Sequence, residues 1–374
     1  MRRARSTPVR PVPGVNTPSL GELEEKLVLE ALRSGRLVKG PMVERFEDAV
    51  REVTGTRHAV AVNSGTSALI AALIANGIGP GDEVVTSPFT FVATLNAILH
   101  VGATPRFVDI GDDCNIDPDA LAAAVGPATR AVVPVHLYGC PANMPAIERA
   151  VRGRDIVIVE DAAQALAASV DGRKVGSFGT GCFSFYATKN VTTAEGGMVT
   201  TDDDEVARVA RVVADQGQSG TYVYDRPGFN FRLSELHAAL GVAQMSRLAE
   251  FVAARRKHAA FLRAALSGIE GLVLPEQPDG RVHVYHQFTV RVTNQAAIGR
   301  DELLARLRSA GVACAVYYPR PVFEYECFAD LGVSPRGMPR VRRFAREVLS
   351  LAVQPSLELC DLELTADTVR RLLT

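Results

Sequence analysis

Three short runs carry residue types that could do chemistry together. Lys189 follows the run SFYAT at 184–188, and no other cation appears until Arg208. A lysine against buried apolar surface has a lowered pKa, because desolvation disfavours its charged form, and the freed amine can attack an aldehyde. The plain alternative is a surface lysine whose stem lies along apolar neighbours. The run EDAAQ at 160–164 directly follows IVIV. A carboxylate at the end of a buried strand is costly without a partner. A protonated pyridine nitrogen would be such a partner, and Asp161 would keep that ring an electron sink; a helix-capping aspartate is the alternative. The run NSGTS at 63–67 closes an apolar stretch and opens a helical pattern. Gly65 lets backbone approach a ligand closely, and the free N–H groups of a helix start can cup a phosphate. Ser and Thr there also serve as ordinary N-caps. No one of these signals decides the matter. Their order and spacing are what count: a cup at Gly65, an acid at Asp161 and an amine at Lys189 are the parts that pyridoxal phosphate (PLP), held as a Schiff base, would need.

Open parallel sheets bind ligands beyond the carboxyl ends of their strands, so the positioning elements must be strands. HAVAV at 58–62 precedes the helical TSALIAALIANG, and EVVT at 83–86 follows the turn GPGD. AVVPV at 131–135 and IVIV at 156–159 are continuous apolar runs, which suit strands buried on both faces. Residues 182–186 and 198–201 read as further strands. This alternation predicts an α/β sandwich with a largely parallel sheet. Residues 234–266 read as one long helix bent at Gly241, or as two helices in succession. A strand at 286–292, a helix at 300–310 and a strand at 312–318 then predict a smaller α+β C-terminal domain. The expected division is a flexible lead over 1–18, a large PLP-binding domain over 19–248 and a small domain over 249–374. A cleft between two domains is a favoured place for a cofactor.

Composition narrows the function classes. The 374 residues carry a formal net charge of −1, with 22% charged and 47% hydrophobic residues. No global field draws the chain to nucleic acid or to an anionic membrane. The basic clusters at 255–257 and 340–346 are interleaved with apolar residues at helical spacing and read as solvated helix faces. Apolar runs are too short to span a bilayer, and the basic start MRRARSTPVRPVPG lacks the apolar core of a secretory signal. Cys114, Cys140, Cys182, Cys314, Cys327 and Cys360 form no CxxC pair, and His283 with His286 has no companion cluster, so no metal site is expected. A reduced, cytoplasmic protein is expected.

The runs SGTSAL, GPGDEVVTSPFTFVATLNAI, VPVHLYG, EDAAQA, FSFYATKN, EGGMVTT and GFNFRLSELHAAL occur in the order seen in one family. From about Gly35 to the C-terminus the chain resembles the DegT/DnrJ/EryC1/StrS sugar and aminocyclitol aminotransferases, which have the aspartate-aminotransferase-like PLP fold type I. The resemblance implies that Lys189 is the Schiff-base lysine and proton shuttle, and that Asp161 pairs with the pyridine nitrogen. It places Gln164 beside the ring, Phe91 stacked on it, and Gly65, Thr66 and Ser184 at the phosphate. It implies a homodimer with shared active sites, in which Asn230 reaches the neighbouring subunit's phosphate. His136, Glu195 and Tyr317 match positions near the substrate. The implied reaction moves an amino group from glutamate or glutamine, through pyridoxamine phosphate, to a nucleotide-linked keto-sugar or a keto-cyclitol.

Two other readings share the fold. Dehydratase relatives carry histidine at the lysine position, so Lys189 argues against that branch. A regulator on the same scaffold would need a basic face. The sequence also departs from the family pattern. Tyr317-Tyr318-Pro319 stands for His-Tyr-Pro, no histidine occurs near Phe323, Ala167 stands for glycine, His237 for glutamine and Cys140 for the glutamine of Tyr-Gly-Gln-Pro. The changes at Tyr317 and Phe323 leave the substrate's identity open.

Overall fold

The apolar runs of the first two thirds of the chain gather into one seven-stranded sheet. They do so in a computed structural model that describes residues 14–332 and 337–374. The strands are β1 His58–Val62, β2 Glu83–Thr86, β3 Thr104–Phe107, β4 Thr129–Val133, β5 Val157–Asp161, β6 Thr180–Ser184 and β7 Gly197–Thr201, in the order β1-β7-β6-β5-β4-β2-β3. From β3 to β6 all neighbours are parallel, and β7 runs antiparallel to both β1 and β6. Successive side chains enter different cores. Val84, Ala131, Val133 and Val159 pack on one face, with the almost wholly apolar helix Gly65–Ala75, while Val85, Val132 and Ile158 pack on the other. Helices on both faces therefore account for runs such as AVV, in which polar residues do not alternate. β3 lacked such a signal because it is an edge strand, paired only with β2, and its sequence is TPRF.

The helical run after residue 234 is two helices, Glu235–Ser246 and Leu248–Leu266. The break falls at Arg247, not at Gly241. Gly241 stays helical because packing requires it: a Cβ there would lie 2.7 Å from both Phe46 Cε2 and Thr193 Cγ2. Phe46 comes from the helix Pro41–Thr54, is fully buried and meets Phe185 edge-on at 4.8 Å. The second helix joins two cores. Its Leu248 and Phe251 pack with Phe46, while Ala259, Leu262 and Leu266 belong to the C-terminal core.

That core lines a four-stranded antiparallel sheet of Leu272–Val273, Phe288–Val292, Val348–Leu351 and Cys314–Ala315, in that spatial order. The expected strand at 312–318 is only two residues long, because residues 316–319 leave the sheet for the large one. Of the expected N-terminal lead, residues 1–13 lie outside the described residues. Asn16 is buried: its N–H donates to Gln354 Oε1 (3.3 Å) and its Oδ1 accepts from Arg255 Nη1 (3.2 Å). Among the described residues no helix is long and apolar enough to cross a membrane.

The Phe46 contact sets a stability test. Phe46→Ala should lower the unfolding free energy by about 3–5 kcal/mol. Gly241→Ala should lower it by about 1–3 kcal/mol through overpacking. In the double variant the alanine methyl enters the space the ring vacated, so the two losses should sum to more than the measured total in urea titrations.

Candidate active site

The ends of β5 and β6 build the site. Glu160 and Asp161 are consecutive and point to opposite faces of β5, as the strand repeat requires. Glu160 is fully buried and accepts hydrogen bonds from Gly176 N (2.9 Å), Phe178 N (2.7 Å) and His136 Nε2 (3.1 Å). His136 Nδ1 accepts from Ala142 N (3.0 Å), so its proton sits on Nε2 and is given to Glu160. Asp161, 5% exposed, has different surroundings. Its Oδ1 accepts from Ala163 N (3.2 Å) and its Oδ2 from Thr94 Oγ1 (2.7 Å). Among the described residues no cation forms an ion pair with it. A buried carboxylate with neutral donors only is a site waiting for positive charge.

After β6 the chain turns back on itself, with Lys189 N donating to Tyr186 O (2.9 Å). The Lys189 side chain keeps a little exposed surface but is packed round by protein, and its amine makes no hydrogen bond or ion pair among the described residues. Burial pushes this amine down to about 8, against an opposing pull from Asp161. Beside it, burial first and then the charges of Lys189 and Arg255 hold His286 well below the usual histidine range. His286 is therefore a neutral imidazole, with Nδ1 3.4 Å from Asn190 Oδ1.

The cup lies at the start of the helix Gly65–Ala75. Ser64 caps it, its Oγ accepting from Ser67 N (3.0 Å) and its carbonyl from Ala68 N (3.0 Å). The N–H groups of Gly65 and Thr66, which precede any i−4 partner, are left for a ligand. Gly65 is required by close approach: a Cβ there would lie 2.7 Å from Ser184 Cβ. The same approach brings the Ser184 hydroxyl to the cup. Asn63 ties this turn to the segment around Asn230, accepting from Ser67 Oγ (2.6 Å) and donating to Asn230 O (3.1 Å).

A lip forms above. Phe91 caps the helix Val92–His100, is 57% exposed and lies 6.2 Å from the Tyr318 ring. Gln164 is clamped on both sides: Oε1 accepts from Tyr138 N (2.6 Å), and Nε2 donates to Tyr318 OH (3.0 Å). Tyr317 is half-buried and its carbonyl accepts from the Tyr138 hydroxyl.

Of the residues singled out in the sequence, Gly65, Thr66, Phe91, Asp161, Gln164, Ser184 and Lys189 come to one bay. Asn230 and Glu195 are exposed. His136 does not face the bay. It is fully buried behind β5 with both ring nitrogens engaged, so it has no free atom for a substrate. Three residues escaped sequence reasoning. Thr94 lies in the first turn of the helix Val92–His100, with Thr90 just before that helix, and reaches Asp161 far along the chain; the hydroxyl of Tyr318 and the ring of His286 likewise arrive from distant segments.

The departures from the family pattern also find their places. Phe323 is buried against Phe107 at 5.5 Å, so it fills a core. Ala167 has φ 71°, the left-handed conformation in which glycine is unstrained. Cys140 is buried, and burial pushes its thiol up to about 12, so it acts as an inert apolar filler. His237 sits in the first turn of its helix, where its N–H donates to the capping Ser234 Oγ (3.3 Å).

This donor set fits PLP: an unbonded amine for its aldehyde, an uncompensated acid for its ring nitrogen, and free N–H groups with a hydroxyl for its phosphate. The model of the DegT/DnrJ/EryC1/StrS aminotransferase family matches residues 18–370. The chain belongs to this family. It is 40% identical over 345 residues, 91% of each chain, to the UDP-N-acetyl-3-dehydro-alpha-D-glucosamine 3-aminotransferase of Acidithiobacillus ferrooxidans. It is also 40% identical over 334 residues, 88% of each, to a pleiotropic regulatory protein of Geobacillus stearothermophilus. DesV of S. venezuelae, solved in complex with a ketimine intermediate, matches with a TM-score of 0.89 at 38% identity over 93% of each chain. This DegT/DnrJ/EryC1/StrS aminotransferase is thus a PLP-dependent enzyme of a sugar-aminotransferase family.

The depressed amine gives a pH test. In the cofactor-free protein, acylation of Lys189 should rise through pH about 8, where ordinary lysines at 10.5 stay protected. The folded-state value lies below the unfolded one, so the destabilising effect of the buried charge is complete below pH 8. It is relieved as pH rises from about 8 to 10.5. Mass spectrometry of the peptide spanning Phe185 to Asn190 measures the labelling.

Proposed function

We propose that this aminotransferase moves an amino group from glutamate or glutamine to a keto-sugar, nucleotide-linked in the first instance, or to a keto-cyclitol. The observation that carries the reading is the unbonded, half-buried Lys189 amine, its basicity depressed, in the same bay as the unpaired carboxylate of Asp161. When bound, PLP supplies an aldehyde that takes up the amino group and a ring that accepts electrons. Lys189 Nζ would hold the cofactor covalently and, as a free amine, would serve as the proton carrier of the bay. Asp161 keeps the ring nitrogen protonated. Gly65 and Thr66 N–H groups and the Ser184 hydroxyl hold the phosphate. Phe91 would cover one ring face, and Gln164 would lie beside the ring, its carboxamide fixed by Tyr138 and Tyr318.

His136 acts on the scaffold. Its ring braces Glu160 from behind and its backbone N–H donates to Asp161 O (3.0 Å), which fixes the strand end that carries the acid. Tyr317 and Glu195 stand at the substrate side. A homodimer completes the bay, with Asn230 reaching the second protomer's phosphate. The exposed Tyr222, Val223, Tyr224 and Phe229 beside it support an interface there. The free cysteines suit a reducing, cytoplasmic setting.

Borohydride reduction of the holoenzyme should fix the cofactor on the peptide spanning Phe185 to Asn190. Lys189→Ala should lower turnover by about 10³-fold or more, the range of a lost acid–base group compounded by lost attachment. Transamination preserved in that variant overturns the reading. Keto-sugars and keto-cyclitols tested with each donor, followed by mass spectrometry of the products, identify the acceptor.

A further inference from the structure

We infer that Thr94 is a positioning residue for the reaction: its hydroxyl, backed by that of Thr90, holds Asp161 as an aimed carboxylate. This rests on the role proposed above for Asp161.

Thr94 Oγ1 has three oxygen neighbours and one proton. Asp161 Oδ2 lies at 2.7 Å, Thr90 Oγ1 at 2.9 Å and Phe91 O at 3.3 Å. The shortest contact is to the only acceptor that can carry charge, and charge-assisted bonds are the stronger ones. The Thr94 proton therefore goes to Asp161. Thr94 Oγ1 is then free to accept from Thr90, so the hydroxyls run in one direction, Thr90 to Thr94 to Asp161. Such a run strengthens each member. Both threonines are nearly inaccessible, at 2% and 1% exposure, so water does not compete. A purely local role for Thr94 would be the return bond to Phe91 O, which is the longest of the three contacts.

The arrangement has a chemical purpose. Facing a ring nitrogen in a dry bay, an acid can keep its negative charge or take the proton and leave a neutral pair. Hydrogen bonds to the charged form favour that form. Among the described residues Asp161 has only two such donors, and the other, Ala163 N, is farther away at 3.2 Å. Thr94 thus biases the proton toward the ring. Thr94 also lies in the helical turn that begins at Phe91, so one turn supplies both the aromatic lip and the donor.

The test uses holoenzyme loaded with PLP carrying 15N in the ring, in Thr94→Val, Thr94→Ser, Thr90→Val and Asp161→Asn variants. Thr94→Val should move the ring-nitrogen resonance toward the unprotonated position, part of the way to its place in Asp161→Asn. It should lower kcat about tenfold, with acceptor KM unchanged, and Thr94→Ser should restore both. Thr90→Val, which breaks the run one bond further out, should give a smaller shift in the same direction and decides the matter should Thr94→Val fail to fold. A wild-type resonance in Thr94→Val and Thr90→Val, with Asp161→Asn displaced, overturns the inference alone. A wild-type resonance in Asp161→Asn overturns the proposed role of Asp161 and the inference with it.

Discussion

A buried amine and a buried carboxylate that no cation pairs among the described residues share one bay, and the rest of the structure is arranged around them. Burial drives Lys189 toward neutrality while Asp161 pulls it the other way, and burial wins. The acid holds its place through neutral donors, the Thr94 hydroxyl and the Ala163 N–H. A cation built into the protein at that point would satisfy Asp161 and leave it nothing to offer a ligand. The sheet supplies this arrangement cheaply. Two adjacent parallel strands, β5 and β6, deliver the acid and the lysine turn to the same edge. The alternation along β5 sends Glu160 backward into a His136 brace and Asp161 forward.

Much of this was legible in the sequence, for physical reasons that differ between elements. β1 and β2 match their apolar runs to the residue, because their ends coincide with changes in polarity. β4 begins two residues earlier than its run, at Thr129, because Thr129 pairs with Glu83 across an irregularity in register that skips Arg130. Of the two readings of residues 234–266, two successive helices holds, with the break at Arg247, and a bend at Gly241 does not. Glycine weakens a helix when it is exposed, but here it admits Phe46 and Thr193 against the helix. The strand expected over 312–318 was cut short by a demand from elsewhere, the reach of Tyr318 to Gln164. Lys189 and Asp161 stood out because residue types and order carry their chemistry. Thr94, Tyr318 and His286 did not, because each acquires its place through a partner distant in sequence. His136 was expected at the substrate, yet a histidine between a buried carboxylate and a backbone N–H has both nitrogens occupied.

The departures from the family pattern divide in the same way. Cys140 and Phe323 are absorbed into packing and say little about what the enzyme accepts. Ala167 keeps a left-handed backbone suited to glycine, at a cost on the order of 1 kcal/mol. Tyr317 is the one left half-buried beside the lip.

The clamp on Gln164 has a mechanical consequence. One bond fastens its carboxamide to Tyr138, in the loop after β4, and the other to Tyr318, which enters from the C-terminal sheet. Any swing of the 314–319 segment away from β5 must snap the second bond and release the amide to pivot about its own terminal torsion.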